Sequence, residues 1–442
     1  MKRLDVRASV QTFRLPETVA MPVAAAVPAV RGVWWLRYGR HAYTFLNFRT
    51  RQGVRFGIRH SAVIRPGLSR FKKNAAALSA SWLGLLARRY HYDFNLLEEI
   101  MMMTVPHTVT PLGNARFLVN LWSWFGYFDI DLPSRSVAYR FLDDCESDKV
   151  LGSGQWHDSS SGMLYGMTCS LKDSFARIAK PDMEVACTLF RRKPDASDSE
   201  TVWQGPLADF MHELVVNRTG RYGVACELGM IRNARNEAVP SRVLIVDLTS
   251  GRHWRLDRFN VAAHAQFDPD DPDVVYFSNH NFQFVHSSLF ALLKRASYGI
   301  RFEGPASVFK YRLTPDGPQE EGVFTRPDFF RLTNMHVFRH RGQKLLAAMG
   351  FPDEIFLADA DTMEFVRKIT IRDPKSVWHP GPSRPALIGT MVPTPDGEAL
   401  LVHTTRSLQT ADLATGRCET VLDHAFLHTC SNHMIAMSDT ES

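Results

Sequence analysis

The sequence predicts an all-β protein: a seven-bladed β-propeller with helical insertions, its ring closed by pairing strands from the two chain ends. Three observations predict this. A strand–turn–strand unit recurs about every 50 residues, the period of a four-stranded blade. An acidic turn of a different kind recurs out of phase with it. The amino-terminal strands form an incomplete sheet that the carboxyl end can complete.

The recurring unit is fullest at residues 263–277, where His264 opens a short strand, Asp268-Pro269-Asp270-Asp271-Pro272 turns, and Val274-Val275-Tyr276-Phe277 returns. Turn-forming residues between two runs of β-branched and aromatic residues make a hairpin. The unit returns at His107 before Pro111-Leu112-Gly113, at His157 before Ser159-Ser160-Ser161-Gly162, and at His212 before Thr219-Gly220. It returns again at His336 before Arg341-Gly342, and at Thr390 before Pro395-Asp396-Gly397. From His107 through His157, His212, His264 and His336 to Thr390 the steps are 50, 55, 52, 72 and 54 residues. The second register is the turn from a blade's third strand to its fourth: Val246-Asp247-Leu248-Thr249-Ser250-Gly251, Ala358-Asp359-Ala360-Asp361-Thr362 and Ala411-Asp412-Leu413-Ala414-Thr415-Gly416.

Taken in order, residues 1–31 are rich in Ala, Val and Pro without a clean period and read as an arm over the domain. Residues 33–38, 42–48 and 54–58 read as three strands. Residues 68–103 carry Ala- and Leu-rich helical stretches, expected to pack on the ring side or to form a lid or membrane-touching cap over one channel mouth. Residues 104–437 hold the repeated blades. The long step from His264 to His336 implies an insertion, with a short amphipathic helix expected over residues 286–295. Residues 432–436 offer the closing strand, and the whole chain, 1–442, reads as a single domain.

A chain of 442 residues that is 45% hydrophobic can bury a large core. Its formal charge of +6 is dispersed among acids. With no recognition helix, finger or stacking platform to accompany it, this charge does not point to nucleic acid. The amino end reads as neither a signal peptide nor a spanning helix. The six cysteines lack close-paired CxxC spacing and read as reduced core thiols, so a cytoplasmic location is expected. Oligomeric state is open.

Inner strands of a propeller line its channel, so equivalent positions in successive blades should lie at one height. Five of six units place histidine there. Buried imidazoles need partners, and a divalent transition metal satisfies several nitrogen lone pairs at once. His157, His212, His264 and His336 are the expected ligands, with Fe2+ favoured and Mn2+, Cu2+ or Zn2+ also suited. His107 is a candidate acid or base beside the ion, and Arg339 and Arg406 are candidate clamps for an anionic substrate. Gln155, Gln266 and Asn334 share a strand face with a histidine and are candidates to orient the imidazoles, whereas Asp158 and Glu213 should point away. His280, Asn281 and His286, near the insertion, with Thr390 and His433 at the ring positions of the remaining blades, form the expected substrate rim.

Residues 263–277 resemble the metal-ligand blade of oligogalacturonate lyases, in which channel histidines hold manganese. The run His264-Ala265-Gln266-Phe267-Asp268-Pro269 is similar to the start of a ligand strand in carotenoid cleavage oxygenases, where four histidines hold ferrous iron. These resemblances imply a metalloenzyme acting on a small organic molecule, either a non-haem iron oxidoreductase or a lyase or hydrolase on a uronate-like anion. A non-catalytic protein-binding propeller with structural histidines is the alternative.

Overall fold

The computed structural model describes residues 3–15, 23–31, 40–59, 106–121, 126–141, 149–170, 173, 184–196, 198–207, 211–227, 241–286, 298–330, 332, 334–350, 354–371, 390–403, 407–423 and 435–438. They build seven antiparallel sheets in a ring. The chain begins with β1 (Arg3–Asp5) and β2 (Ala8–Arg14), then β3 (Val23–Arg31), β4 (Arg40–Asn47) and β5 (Gln52–Arg59) of blade 1. Blade 2 is β6 (Pro106–Gly113), β7 (Arg116–Leu121), β8 (Gly126–Asp131) and β9 (Ser136–Phe141). Blade 3 is β10 (Lys149–Asp158), β11 (Met163–Ser170), β12 (Val185–Arg192) and β13 (Glu200–Leu207). Blade 4 is β14 (Met211–Val216), β15 (Tyr222–Glu227), β16 (Ser241–Asp247) and β17 (His253–Phe259).

Blade 5 starts with β18 (Ala262–Phe267) and β19 (Val274–Asn279). It is interrupted by a separate hairpin, β20 (Phe282–His286) with β21 (Tyr298–Phe302), and resumes as β22 (Ser307–Thr314) and β23 (Gly317–Thr325). Blade 6 is β24 (Asn334–His340), β25 (Gln343–Gly350), β26 (Glu354–Asp359) and β27 (Phe365–Thr370). Blade 7 is β28 (Met391–Pro393), β29 (Ala399–His403), β30 (Ser407–Asp412) and β31 (Cys418–Asp423), and β32 (Ile435–Ser438) ends the series.

The last strand is the innermost of the first blade: Val23 to Ala26 of β3 pair with Ser438 to Ile435 of β32. The expected closure is therefore present, two or three residues later than residues 432–436. The amino-terminal stretch divides in two. Residues 23–31 are a blade strand, whereas β1 and β2 do form an arm. β2 adds a fifth, outer strand to blade 1 against β5, and β1 does the same for blade 2 against β9. Ten residues of alternating exposure thus cover the outer edges of the two sheets that flank the chain's entry. The expected strand at 33–38 and the helical insertion at 68–103 lie outside the described residues. The helix expected at 286–295 begins instead inside a strand, since His286 closes β20 and pairs with Tyr298. Residues 287–297 lie outside the described set.

Period-two alternation makes each blade a two-faced wall. Val274, Tyr276, Val308 and Phe324 of blade 5 pack on Met335, Val337, Leu346 and Ala348 of blade 6. The other face of blade 6, through Phe338, Leu345, Ala347 and Met349, meets Met391, Leu400 and Val402 of blade 7. Each such fully buried aliphatic or aromatic side chain contributes on the order of 2 kcal/mol. Polar ties reinforce these faces at the turn that joins a blade's first two strands. Asn217 Nδ2 donates to the Pro272 carbonyl at 2.9 Å, and His340 Nδ1 contacts the Gly397 carbonyl at 2.8 Å. Gly397 has φ +68°, and a Cβ there would stand 1.9 Å from the Arg339 carbonyl oxygen, so this approach admits only glycine.

Between blades 5 and 6 the tie is ionic. Asp268 accepts from Lys344 Nζ at 2.8 Å, from the Tyr276 hydroxyl at 3.0 Å, and from the backbone amides of Asp270 and Asp271. Burial pushes the Asp268 carboxyl up, but the Lys344 and amide hydrogen bonds outweigh it and hold the group below its ordinary value. A carboxylate depressed by folding stabilises the fold above its unfolded pKa, about 3.9, and that contribution is lost as pH falls through the lower folded value. Lys344→Met, which strands a buried charge, should cost about 3 kcal/mol at neutral pH. Because the variant lacks the cation that favours ionised Asp268, its urea midpoint should also fall less steeply than wild type below about pH 4.

Candidate functional site

Strand register fixes the height of each inner-strand residue, and it divides the histidines expected to share one level. His157 pairs with Leu164 beside its hairpin turn, whereas His336, the third residue of β24, pairs with Ala347. The other three lie at bulges near the start of their strands. His107 and Thr108 together face Asn120, His212 is the extra residue between Met211 and Glu213, and His264 with Ala265 faces Phe277. Blade 3 has its bulge in the same zone, between Leu151 and Gln155, but spells it Gly152-Ser153-Gly154. The bulge is the repeated feature; histidine fills it in blades 2, 4 and 5.

At His264 the bulge puts a non-glycine residue at φ +55°, in the left-handed region that histidine visits more readily than β-branched residues do. The kink turns the imidazole back toward blade 4. There Nδ1 lies 3.0 Å from Glu213 Oε1, with both side chains buried. On its other side His264 stacks on His280, the ring centroids being 5.2 Å apart and the planes 28° from parallel. His280 is itself buried and anchored by its backbone amide, which donates to the Val261 carbonyl. The expectation that Glu213 would point away from its neighbours is corrected here: it faces the next blade.

Further buried polar side chains continue this layer into blades 6 and 7. Asn334 donates to Thr390 Oγ1, and the Thr390 carbonyl accepts from the His403 amide. Thr390 is therefore an inter-blade tie rather than a rim residue, being fully buried. His403, 1% exposed, has neither ring nitrogen hydrogen-bonded among the described residues, and burial lowers its pKa to about 4. Gln266 grips blade 6 through both ends of its amide, to Val337 N at 2.9 Å and Val337 O at 2.8 Å. It braces backbone rather than an imidazole.

The remaining expected residues fall elsewhere. Arg339 is held bidentate by Asp270, at 2.9 and 2.8 Å, with a third bond to the Gly342 carbonyl. The arginine expected to clamp a substrate thus ties blade 6 to blade 5 on the hairpin rim. His157 borders a cleft of about 490 Å³ on that same rim, with Asn114, Arg116, Asp131, Ser159 and Asp195. Burial lowers its pKa, against a hydrogen bond to the Pro111 backbone that works the other way. Asn281 accepts from Asn260 Nδ2 through its Oδ1 and donates to the Pro305 carbonyl through its Nδ2. The side chains of His107, His212 and His286, and all of Arg406 and His433, lie outside the described residues.

Would these residues hold a transition metal? Among the described residues no three His, Cys, Asp or Glu side chains stand together as a metal-holding group. His264 and His280 face each other through their ring surfaces, whereas ligands to one ion must aim in-plane lone pairs at a common point. His157, beside its hairpin turn, stands at another height. The described side chains of His157, His264 and His336 form no such group.

The chain is thus a seven-bladed propeller with a buried Glu–His pair near the starts of its inner strands. No protein-family model matches it, and no curated protein matches it. Among solved structures it is similar to a functionally unknown protein from Desulfotomaculum acetoxidans DSM 771, 11% identical, covering 71% of this chain and 78% of that one with a TM-score of 0.40.

Sequence reasoning named His264 and His280 but missed Glu213 as the partner of His264, and missed His403. The signal for Glu213 was the bulge, which shifts side-chain parity by one. Two outcomes are expected. His264→Val should cost about 1–3 kcal/mol more in chemical denaturation than His264→Asn, because a β-branched residue resists φ +55°. His403, neutral in the fold but protonated when unfolded below about pH 6.5, makes stability fall as pH drops from there toward 4. His403→Met should flatten that slope by about one proton in a pH series of urea midpoints.

Proposed function

We propose that this propeller is an enzyme of the lyase or hydrolase class, acting on a small polar organic molecule by acid–base chemistry at Glu213 and His264. One observation carries the reading: a buried carboxylate–imidazole pair assembled between two blades, with the imidazole held at positive φ. Such backbone strain is kept where surrounding structure over-determines it, and it collects at functional sites. With Nδ1–H donating to Glu213, the lone pair belongs to Nε2, which is then the atom that takes or gives a proton. Glu213 orients the ring and stabilises the imidazolium, the division of labour seen wherever a carboxylate backs a catalytic histidine. The β19-to-β22 connection, which carries the β20–β21 hairpin, leaves blade 5 on the same side as His264, so an insertion accompanies the site.

A second reading has its own support. Asn334 and Thr390 make a neutral contact between blades 6 and 7 at a height close to that of Glu213 and His264, so the pair can be one more ring tie. Turnover of a panel of small esters, lactones and uronide elimination substrates separates the two. Acid–base catalysis requires His264→Gln to lose about 10²–10⁴-fold in kcat, and Glu213→Gln to lose less, with circular dichroism unchanged. If every substrate that wild type consumes is consumed as fast by both variants, while only thermal midpoints drop, the pair is structural.

A further inference from the structure

Blade 3 contains a second chemical pair that the site above does not use. Cys169 on β11 and Cys187 on β12 are directly opposite in register, and their sulfurs lie 3.3 Å apart in a thiol–thiol contact. Both are reduced and buried, 1% and 2% exposed, within the apolar cluster that also holds Met167, Val185 and Leu207. Directly opposed residues of an antiparallel pair bring their Cβ atoms to about 4.5–5.5 Å, and a disulfide needs about 3.5–4.5 Å, so a small adjustment suffices. Opposed chain positions and touching sulfurs both favour a cross-strand bond.

We infer that Cys169 and Cys187 form a redox couple closed by a hydroperoxide. One sulfur attacks the peroxide: the O–O bond breaks, an S–O bond forms, and one water leaves, giving a sulfenic acid. The second sulfur attacks the first, the S–O bond breaks, the S–S bond forms, and a second water carries away the remaining proton. Two thiols and one hydrogen peroxide thus become one disulfide and two waters. The oxidant gains the two electrons that the sulfurs lose. Burial selects the oxidant. Hydrogen peroxide is about the size of two waters and reaches the pair through brief local opening, whereas oxidised glutathione must bring a tripeptide against a sulfur within a packed sheet. Closure would staple the two central strands of blade 3, the sheet beside the one that carries Glu213.

The test uses the intact chain. Native protein is treated with hydrogen peroxide or with oxidised glutathione, quenched, denatured with an alkylating reagent and mapped by mass spectrometry. The expected result is a peptide pair joined through Cys169 and Cys187, lighter by two hydrogens, in the peroxide sample alone, with a thermal midpoint raised by a few degrees that reverts on reduction. Cys169→Ala should leave Cys187 alkylated or over-oxidised with no linked pair. Finding both cysteines alkylated after peroxide, or finding them oxidised without a link between them, overturns the couple. A glutathione adduct on either residue in native protein overturns the selectivity by size. Because the mapping is done on wild type, a poorly folding variant does not blunt it.

Discussion

Everything in this ring depends on four residues near one end of the chain pairing with four near the other, Val23 to Ala26 with Ser438 to Ile435. Each blade buries both of its faces against neighbours, so a row of seven sheets must either close or leave two apolar walls in water. The walls in question are substantial. Leu401, Leu408 and Val392 of blade 7 share one buried cluster with Ala25, Leu46 and Phe48 of blade 1, and only closure brings them together. A short backbone ladder therefore controls burial across the whole seam.

The repeat was legible because turn chemistry is local. Five of the six hairpin turns and all three acidic turns lie where their residues placed them, since a Gly or an Asp at a fixed offset needs no tertiary partner to act, whereas Pro111-Leu112-Gly113 ends β6 and the turn falls next, at Asn114-Ala115. The heights of the histidines were not legible in the same way. Counting from turns of unequal length aligned His157 with His264, yet hydrogen-bond register puts the first at its strand's end and the second near its strand's beginning. A bulge adds one residue without changing composition, so it shifts every later side chain while remaining silent in a hydrophobic pattern. Glu213 was misjudged for that reason: strict alternation around His212 turned it away, and the bulge turned it toward blade 5. The β20–β21 ribbon was missed for another, since Phe282 to His286 is too short a run for periodicity to separate strand from helix.

Contacts between blades use one location for two chemistries. Asn217 with Pro272, Gln266 with Val337, and Asn334 with Thr390 are neutral ties whose worth is about 1 kcal/mol each. Asp268 with Lys344 and Glu213 with His264 place ionisable groups in comparable positions. The first pair lies among Tyr276, Asp361 and Asp270, which absorb its charge, and is adequately explained by holding two blades together. The second sits beside another imidazole on a backbone kinked to positive φ, a local strain the first pair does not carry. That difference in company, more than the presence of a carboxylate and a base, marks Glu213 and His264 as the place to look for chemistry.

The position of β32 has a consequence for biosynthesis. A ribosome makes β3 early and β32 only after every blade has been made, so the innermost place in blade 1 stays vacant while the other six sheets emerge. Joining such distant segments adds little entropic penalty per extra residue, because that penalty grows only with the logarithm of the loop. Its timing is another matter. A nascent polypeptide arrested anywhere before Ile435 carries an unclaimed β edge, an invitation to chaperones or to a neighbouring polysome's product, and residues 435–438 must be made before this fold can shut.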